Sequence, residues 1–190
     1  MSEPEGREFG PLQGLRVIEM GQLLAGPFVG TRCADFGAEV IKIEPPGTGD
    51  PIRNWGRNQY QGKTLWWPIM ARNKHSVSAD LRHPRGQALV RKLIETADVL
   101  IENFKPGTLE KWDMSPERLH RINPGLVIVR VSGFGQTGPY ASRPGFASVG
   151  EAMSGLRYIN GYPDMPPPRF GIPLGDTLTA LFAFEGMMMA

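Results

Sequence analysis

Residues 15–43, LRVIEMGQLLAGPFVGTRCADFGAEVIKI, decide the fold of this chain. Two runs rich in Val and Ile, 15–20 and 39–43, are typical of buried strands. Between them, Pro27 is predicted at the first position of a helix, where its missing N–H costs nothing. Apolar residues then recur on one helical face at Val29, Cys33 and Phe36. The order of strand, helix and strand predicts a β-α-β unit.

Strand and helix signals alternate again after this unit. Further strands are predicted at 75–79, 99–101 and 126–131. Helices are predicted to begin at Pro84 and, after the N-cap Ser115, at Pro116. The first of them is expected to bury one face, which contains Leu89, Leu93 and Ala97. Nearly continuous apolar strands separated by helices predict an α/β, Rossmann-like fold, with a parallel sheet covered on both faces and ligands at the carboxyl ends of its strands.

Composition bounds the class of protein. The chain has 190 residues, 41% of them hydrophobic and 21% charged, which suffices for one domain with a sizeable core. A net charge of +2 is too small to predict nucleic-acid binding. The single cysteine excludes an intramolecular disulfide and favours a reducing, cytoplasmic location. No metal site is predicted, because no ligand spacing connects this cysteine with the histidines, which are His75, His83 and His120.

The two ends of the chain carry no targeting pattern. Residues 1–10 are polar and contain three glutamates, so 1–11 are predicted to form a flexible tail before a domain over 12–190. The apolar run 178–190 is interrupted by Glu185 and is too short to span a bilayer, so no membrane partner is predicted. Because this run has no C-cap signal, we expect a fragment of a longer protein. The alternative is a short protein whose final helix docks in its core.

Residues 45–68 form a long segment with several Pro and Gly residues. It holds three of the four tryptophans, which are Trp55, Trp66 and Trp67. Long loops in compact domains are usually functional or disordered, and three tryptophans argue against disorder. The tryptophans are expected to pin this segment to the surface of the domain.

Two glycine-rich stretches match nucleotide motifs but lack their context. Residues 133–138, GFGQTG, match G-x-G-x-x-G after a strand, but Pro139 follows at once and the segment is expected to be a loop. NAD binding is therefore not predicted. Residues 21–26 have the spacing of a P-loop, yet Pro27 and Phe28 replace the Lys and the Ser or Thr that grip phosphate and magnesium.

Basic residues gather near predicted strand ends and loops, at Arg72, Lys74, His75, Arg82, Lys105 and Lys111. Such residues are often solvated surface. In a parallel sheet they can also hold phosphates in the crevice, so a nucleotide-like ligand is an interpretation that stays open.

Asp176 lies in the triplet GDT, where an extended Pro-rich stretch meets an apolar run. Aspartate in this place is a helix N-cap candidate, because its carboxylate can accept the first unpaired N–H groups and the helix dipole keeps it ionised. An ionised carboxylate at the end of a Gly turn is also a candidate nucleophile. The local sequence alone favours the cap and leaves both interpretations open.

Six ordered segments together resemble the family III CoA-transferases. They read LxGLRVIEMGxxxAGP, FGAEVIKIEPPGxGD, RNKHSVSADL, ADVLIENFKPG, INPGLVIVRVSGFGQTGP and LGDxxTAL, and they extend from Leu12 to the last residue. Formyl-CoA transferase and carnitine CoA-transferase belong to this family, and α-methylacyl-CoA racemase is related to it. Six segments at consistent spacing are far more specific than any single motif.

The resemblance implies a Rossmann-like large domain plus a smaller domain, in a chain about twice this length. Residues 12–190 are then the N-terminal part of the CoA-binding large domain, without the small domain. The family's subunits interlock, which implies a homodimer. Coenzyme A and acyl-CoA enter as substrates together with a carboxylic acid, and no cofactor is implied to be permanently bound.

The resemblance also implies site residues. The nucleophile is Asp176, and the CoA contacts are Leu24, Ala25, Asp80, Leu81, Arg82, Asn103, Phe104, Lys105 and Lys111. Two positions depart from the family pattern. Pro45 stands where the transferases have a CoA-binding Arg, and Ala147 stands where the loop usually has a carboxylate.

The implied reaction moves CoA from an acyl-CoA donor to a carboxylic acid through a mixed anhydride and an aspartyl-CoA thioester. A related racemase instead moves a proton beside the thioester with a His and an Asp. That His aligns near Phe146, which carries no proton, so the transferase is favoured. An inactive CoA-binding fragment is a further alternative.

Overall fold

A computed structural model describes residues 10–57 and 59–190, and its main feature is a five-stranded parallel sheet. In chain order the strands are β1 (Arg16–Glu19), β2 (Glu39–Glu44), β3 (Gln59–Tyr60), β4 (Lys63–Thr64), β5 (Lys74–Ser78), β6 (Val99–Glu102) and β7 (Val127–Arg130). The sheet has the order β5-β2-β1-β6-β7, and β3 and β4 form a separate antiparallel hairpin. Every pairing in the five-stranded sheet is parallel, which confirms the predicted fold class.

Helices cover both faces of this sheet. In chain order they are α1 (Ala25–Asp35), α2 (Trp66–Met70), α3 (Pro84–Ile94), α4 (Thr108–Lys111), α5 (Pro116–Ile122), α6 (Ala147–Met153) and α7 (Leu174–Met189). On one face α1 and α7 pack over Val17, and on the other α3, α4 and α5 pack over Ile18. Cys33 is fully buried in α1, where burial raises the pKa of its thiol to about 12, so it is a core residue.

Two helices differ in detail from the predictions. The first begins at Ala25, before Pro27. In α3 the core buries Val90 and Ile94. Of the predicted face, Ala97 is buried just after the helix and Leu93 packs against the same core, whereas Leu89 is 42% exposed, so the prediction was wrong at Leu89. The helix has two pairs of adjacent apolar residues, and its periodicity therefore fitted two faces almost equally well. Packing against the sheet chose between them.

Short elements order the segment 45–68, which is not one long loop. It contains a 3-10 helix (Pro51–Asn54), the hairpin and α2. Arg53 anchors it, because its Cζ lies 3.4 Å from the centre of the Trp67 ring and its guanidinium donates to Glu44. The rings of Trp55 and Trp66 also pack together, with centroids 5.3 Å apart. The tryptophans therefore hold this segment against the domain.

Glu44 is the nearly buried last residue of β2. It accepts hydrogen bonds from Arg53 Nε at 2.7 Å, from Ser76 Oγ at 2.6 Å and from Asp50 N at 2.8 Å. Burial alone would raise the pKa of Glu44, but these hydrogen bonds outweigh it and lower the pKa to about 2. The ionised carboxylate ties the end of β2 to β5 and to the following segment.

A second group of charges, the buried charge network, consists of Glu19, Lys42, Asp50 and Lys74. Lys42 Nζ lies 2.7 Å from Glu19 Oε1 and 2.8 Å from Asp50 Oδ2. Lys74 Nζ lies 2.6 Å from Glu19 Oε2. Each of these side chains is at most 3% exposed, and their two positive and two negative charges balance. Charges can be buried at this depth only when they are paired in this way.

The network also fixes the approach of α1 to the sheet. A Cβ atom built on Gly30 would lie 2.0 Å from Glu19 Oε2, so a side chain there would displace the buried carboxylate. The two lysines donate further hydrogen bonds to the carbonyls of Gly21 and Pro27, at 2.9 and 2.7 Å. The network therefore joins β1, β2, β5 and α1 into one unit.

Residues 1–9 lie outside the described ranges, so the flexible tail over 1–11 stays a prediction. The described chain starts with a turn that buries Leu12, whose N–H donates to Phe36 O at 3.0 Å. Within residues 10–57 and 59–190, no helix has both the length and the apolar character needed to cross a membrane.

Replacing Glu19 with Gln is expected to lower the free energy of unfolding by about 3–5 kcal/mol, because two buried ammonium groups lose their shared carboxylate. Urea denaturation measures the change. Glu39→Gln is the matched control: Glu39 pairs with Arg16 at 2.6 Å, but the two side chains are 42% and 40% exposed. Such a pair contributes less than about 1 kcal/mol. An equally small loss in Glu19→Gln would contradict the role given to the network.

Glu44→Gln is expected to flatten the pH dependence of stability on the acid side. The pKa of Glu44 is about 2 in the folded protein, below its ordinary value of 4.5. The ionised form therefore favours folding above pH 4.5, and this contribution is lost as the pH falls toward 2. Urea unfolding is measured from neutral to acid pH. The variant is expected to be less stable than the unmodified protein at neutral pH, and this difference is expected to shrink in acid. Parallel curves for the two proteins would rule out the mechanism.

Candidate active site

The loops after β1 and β6 lie side by side at the carboxyl edge of the sheet. The chain runs from β1 outward to β2 and β5 on one side, and from β6 to β7 on the other, so its direction reverses between β1 and β6. Ligands of open parallel sheets bind at such reversal points. The site is built from residues 20–24 after β1 and 103–107 after β6.

Asn103 joins these two loops. Its Oδ1 accepts a hydrogen bond from Gln22 N at 2.7 Å, and its Nδ2 donates to Gln22 O at 2.8 Å. The next residue, Leu23, has a φ of 62°, which is uncommon for a residue with a side chain. Its N–H donates to Asp50 Oδ1 at 3.0 Å, so the buried charge network holds the loop in this conformation.

The first cavity, about 630 Å³, opens between the ends of β1, β2, β5 and β6. Apolar side chains line part of it, including Met20, Ile43 and Trp112. It brings together five of the CoA-contact residues implied by the resemblance, which are Asp80, Leu81, Arg82, Phe104 and Lys105. Arg82 and Lys105 give this cavity two cations from two different loops, which suits a ligand with phosphate groups.

The second cavity, about 750 Å³, lies between the same loops, the segment before α6 and the start of α7. It is lined by six of the predicted site residues, which are Leu24, Ala25, Asn103, Phe104, Lys105 and Asp176. The two cavities share Gln22, Phe104 and Lys105, so they adjoin. The candidate nucleophile therefore lines a cavity that adjoins the one lined by Arg82 and Lys105.

Three other positions singled out in the sequence lie as follows. Lys111 is the exposed last residue of α4 and lines neither cavity. Pro45 lines the first cavity, where it offers no side-chain donor. Ala147 lines the second cavity and brings no charge to it.

Three of the basic residues grouped in the sequence lie away from both cavities. Lys74 belongs to the buried charge network, and Arg72 Nε donates to Asp35 Oδ1 at 2.8 Å. His75 is exposed on β5, the edge strand of the sheet. Two of these three residues are already paired and none lines either of the two cavities, so the structure gives no support to phosphate binding by them.

Asp176 lies inside the first turn of α7 and not at its cap, so the N-cap prediction was wrong. The helix begins at Leu174, after Pro173. The Pro173 carbonyl accepts hydrogen bonds from Thr177 N at 3.0 Å and from Thr177 Oγ1 at 2.9 Å, which starts the helix earlier than expected. Within the part of the chain that the structure describes, the Asp176 carboxylate forms no hydrogen bond and lines the second cavity.

Glu151 of α6 supplies the acceptor that the helix start requires. Its Oε1 accepts a hydrogen bond from Gly175 N at 3.1 Å, and its Oε2 lies 3.9 Å from Arg157 Nε. The two helices meet closely here, because a Cβ atom on Gly175 would lie 2.8 Å from the Ala147 Cβ. The sequence analysis missed Glu151. The signal available in the sequence was its spacing from Ala147. Glu151 lies one helical turn later, so its carboxylate lies on the same wall of the second cavity as Ala147.

Asp176 and Glu151 place two carboxylates in one cavity. Burial raises the pKa of Asp176, and the negative charge of Glu151 raises it further. A carboxylate that is partly shielded from water in a cavity is suited to attack an electrophilic carbonyl or to exchange a proton. No group of three or more His, Cys, Asp or Glu within the described ranges is arranged to hold a metal ion.

Comparison with known proteins gives one consistent result. A sequence profile described as CoA-transferase family III matches residues 12–190. The succinyl-CoA–D-citramalate CoA-transferase of Chloroflexus aurantiacus is 60% identical over 95% of this chain and 45% of that protein. The succinyl-CoA–L-malate CoA-transferase alpha subunit of the same organism is 49% identical over 100% of this chain and 45% of that subunit. The chain spans about half the length of the curated relatives it matches.

A solved structure shows the same similarity. The crystal structure of a CaiB/BaiF family protein from Brucella suis superposes with a TM-score of 0.87 at 39% sequence identity. The superposition covers 96% of this chain and 50% of that chain. The similarity in structure therefore extends over nearly the whole of this chain.

Glu151→Gln is expected to lower the pKa of Asp176, because it removes the adjacent negative charge and keeps an oxygen that can accept from Gly175 N. Titration of the Asp176 side-chain carbon by NMR measures the pKa. Glu185→Gln is the matched control, since Glu185 is exposed on the same helix and lines neither cavity. An Asp176 pKa that is unchanged in Glu151→Gln, or that falls equally in the control, would show that the two carboxylates are not coupled.

Proposed function

This chain belongs to the family III CoA-transferases, and on that basis we propose that it binds acyl-CoA and uses Asp176 to transfer CoA between two carboxylic acids. One observation carries the proposal: the Asp176 carboxylate lines the same cavity as the loops after β1 and β6. These loops end the strands at which the sheet reverses direction, where ligands of parallel sheets bind. This position supports the proposal that the carboxylate attacks a thioester bound in the cavity.

We further propose succinyl-CoA as the donor and a short dicarboxylic acid as the acceptor. The two relatives described above are named for succinyl-CoA with D-citramalate and with L-malate, and both acceptors are dicarboxylic acids. An identity of 60% over 95% of the chain supports a shared substrate class.

The two adjoining cavities suit the two ends of an acyl-CoA molecule. In the proposed arrangement, Arg82 and Lys105 pair with phosphates in the first cavity, beside its apolar wall. The pantetheine arm passes Phe104 and Gln22, which both cavities share, and the thioester reaches Asp176. Lys111 lies outside both cavities, so its proposed contact rests on the resemblance alone.

The first half of the proposed reaction loads the enzyme. The Asp176 carboxylate attacks the thioester carbonyl, a C–O bond forms, and the C–S bond breaks to release CoA thiolate and leave a mixed anhydride. The thiolate then attacks the aspartyl carbonyl. The anhydride C–O bond breaks, the donor acid leaves as its carboxylate, and an aspartyl-CoA thioester remains.

The second half reverses these steps with a different acid. The acceptor carboxylate attacks the aspartyl carbonyl and releases CoA thiolate, which then attacks the acceptor carbonyl of the new anhydride. The products are the acceptor acyl-CoA and the free Asp176 carboxylate, so no net proton or electron is exchanged. Binding of the remote CoA phosphates supplies the free energy that holds the thioester in line.

We also propose that residues 12–190 are the N-terminal part of a CoA-binding large domain and that the whole protein forms an interlocked homodimer in the cytoplasm. The greater length of the relatives supports the first point. Large apolar side chains exposed on α7, such as Phe182 at 68%, suit a surface that further protein covers. The buried single cysteine suits a reducing compartment.

The racemase alternative has one feature in its favour, because Glu151 is a second titratable group in the cavity of Asp176. The resemblance implies that its histidine would align near Phe146, which cannot carry a proton. Glu151 is also engaged in a hydrogen bond at the start of α7. We therefore place transfer first, and deuterium incorporation beside the thioester of a 2-methylacyl-CoA would reverse this order.

Asp176→Asn is expected to reduce transfer from succinyl-CoA to D-citramalate by roughly 10³-fold or more while CoA binding is retained, because only the nucleophile is lost. Transfer is followed by chromatography of the acyl-CoA products, and CoA binding by calorimetry. The matched control is Asp164→Asn, because Asp164 is exposed and lines neither cavity.

Hydroxylamine added with succinyl-CoA is expected to modify Asp176 alone. Transfer by Asp176→Asn, or an adduct elsewhere, would refute this role, and CoA binding without transfer by the unmodified chain would identify an inactive fragment.

A further inference from the structure

Arg143 is a charged residue of the second cavity that the proposed mechanism leaves unused. Among the residues that the structure describes, the charged side chains at this cavity are Lys105, Arg143, Glu151 and Asp176. Lys105 also lines the first cavity, where the CoA phosphates are proposed to bind. Arg143 lines only the second cavity, together with the candidate nucleophile.

Arg143 is exposed, and its guanidinium stacks on one aromatic ring. Its Cζ lies 4.2 Å from the centre of the Tyr140 ring, and its backbone N–H donates to Tyr140 O at 2.9 Å. Tyr140 packs edge-on against Phe134, with ring centroids 5.8 Å apart. No carboxylate in residues 10–57 and 59–190 forms an ion pair with Arg143. A guanidinium that stacks on a ring keeps its in-plane N–H donors available for a ligand.

The charges of the cavity constrain an anionic substrate. Asp176 and Glu151 already place two carboxylates there, and a dicarboxylic acyl group brings one more that takes no part in the reaction. Moving a carboxylate out of water is costly unless a counter-ion and hydrogen bonds replace the water. Within the described cavity wall, Arg143 is the cation that is not shared with the proposed phosphate site.

We propose that Arg143 binds the distal carboxylate of the dicarboxylic acyl group or acceptor, an inference that rests on the proposed function. A guanidinium pairs with a carboxylate through two parallel hydrogen bonds, which fix the orientation of the acid as well as its position. With the distal end held by Arg143, the reacting end is directed to Asp176. Arg143 is then the residue that selects dicarboxylic over monocarboxylic acids.

The test compares the binding of succinyl-CoA and butyryl-CoA, which have acyl chains of the same length and differ at the end, a carboxylate in one and a methyl group in the other. Calorimetry is performed in the Asp176→Asn background, so that the thioester is not attacked. With Arg143 present, succinyl-CoA is expected to bind more tightly. Arg143→Gln is expected to weaken succinyl-CoA binding by about 10- to 100-fold and to leave butyryl-CoA binding nearly unchanged.

Two further variants sharpen the comparison. Arg143→Lys keeps the charge but not the paired hydrogen bonds, so it is expected to retain part of the preference for succinyl-CoA. Arg169→Gln removes an exposed arginine that lines neither cavity and is expected to leave both affinities unchanged.

Three results would overturn the inference. An unchanged preference in Arg143→Gln would show that the distal carboxylate is bound elsewhere, and an equal loss for both thioesters would show a general effect on CoA binding or folding. In these two cases the proposed function still stands. If the protein binds neither thioester, the proposed function fails and this inference fails with it.

Discussion

Pairing of charges inside the sheet is the constraint on which the rest of this structure depends. Glu19 and Lys42 lie on the central strands β1 and β2, where water cannot reach them. Lys74 of β5 and Asp50, from the segment after β2, add one positive and one negative charge, so the charges of the network balance. Leaving any one of these groups unpaired would cost several kcal/mol, so the strands must align in the register that brings them together. The same contacts require Gly30 in α1 and hold Leu23 in a left-handed conformation.

The site follows from this constraint. A loop held at Leu23 by Asp50, and joined at Gln22 to Asn103, gives a preorganised wall to both cavities. Preorganised groups need little rearrangement when a ligand binds, which favours affinity and alignment. The opposite side of the second cavity depends on another close contact, between α6 and α7, where small residues let Glu151 reach the start of the helix that carries Asp176.

Under the proposed function, the two cavities divide the requirements of an acyl-transfer site between them. The first offers cations and apolar wall, which suit recognition of a phosphorylated carrier, and the second offers carboxylates and one ring-stacked arginine, which suit the reacting acids. Recognition far from the reacting atoms can hold the reactive end in place without crowding it. Family membership is shown by the sequence comparisons, whereas this division of roles is a proposal argued from the positions of individual side chains.

The sequence by itself determined the order of the five strands of the parallel sheet and, through the resemblance, named Asp176 as the candidate nucleophile. These features depend on hydrophobic periodicity and on residues close together in the chain, which a linear pattern records. Only the tertiary structure decided the face that α3 buries, the partner of Lys74 and the pairing of Glu151 with the start of α7. These contacts join residues that are far apart in the sequence. Each of them forms because an unpaired polar group in the core, or an apolar group left in water, would cost free energy. A local pattern can name the groups, but the fold decides which of them meet.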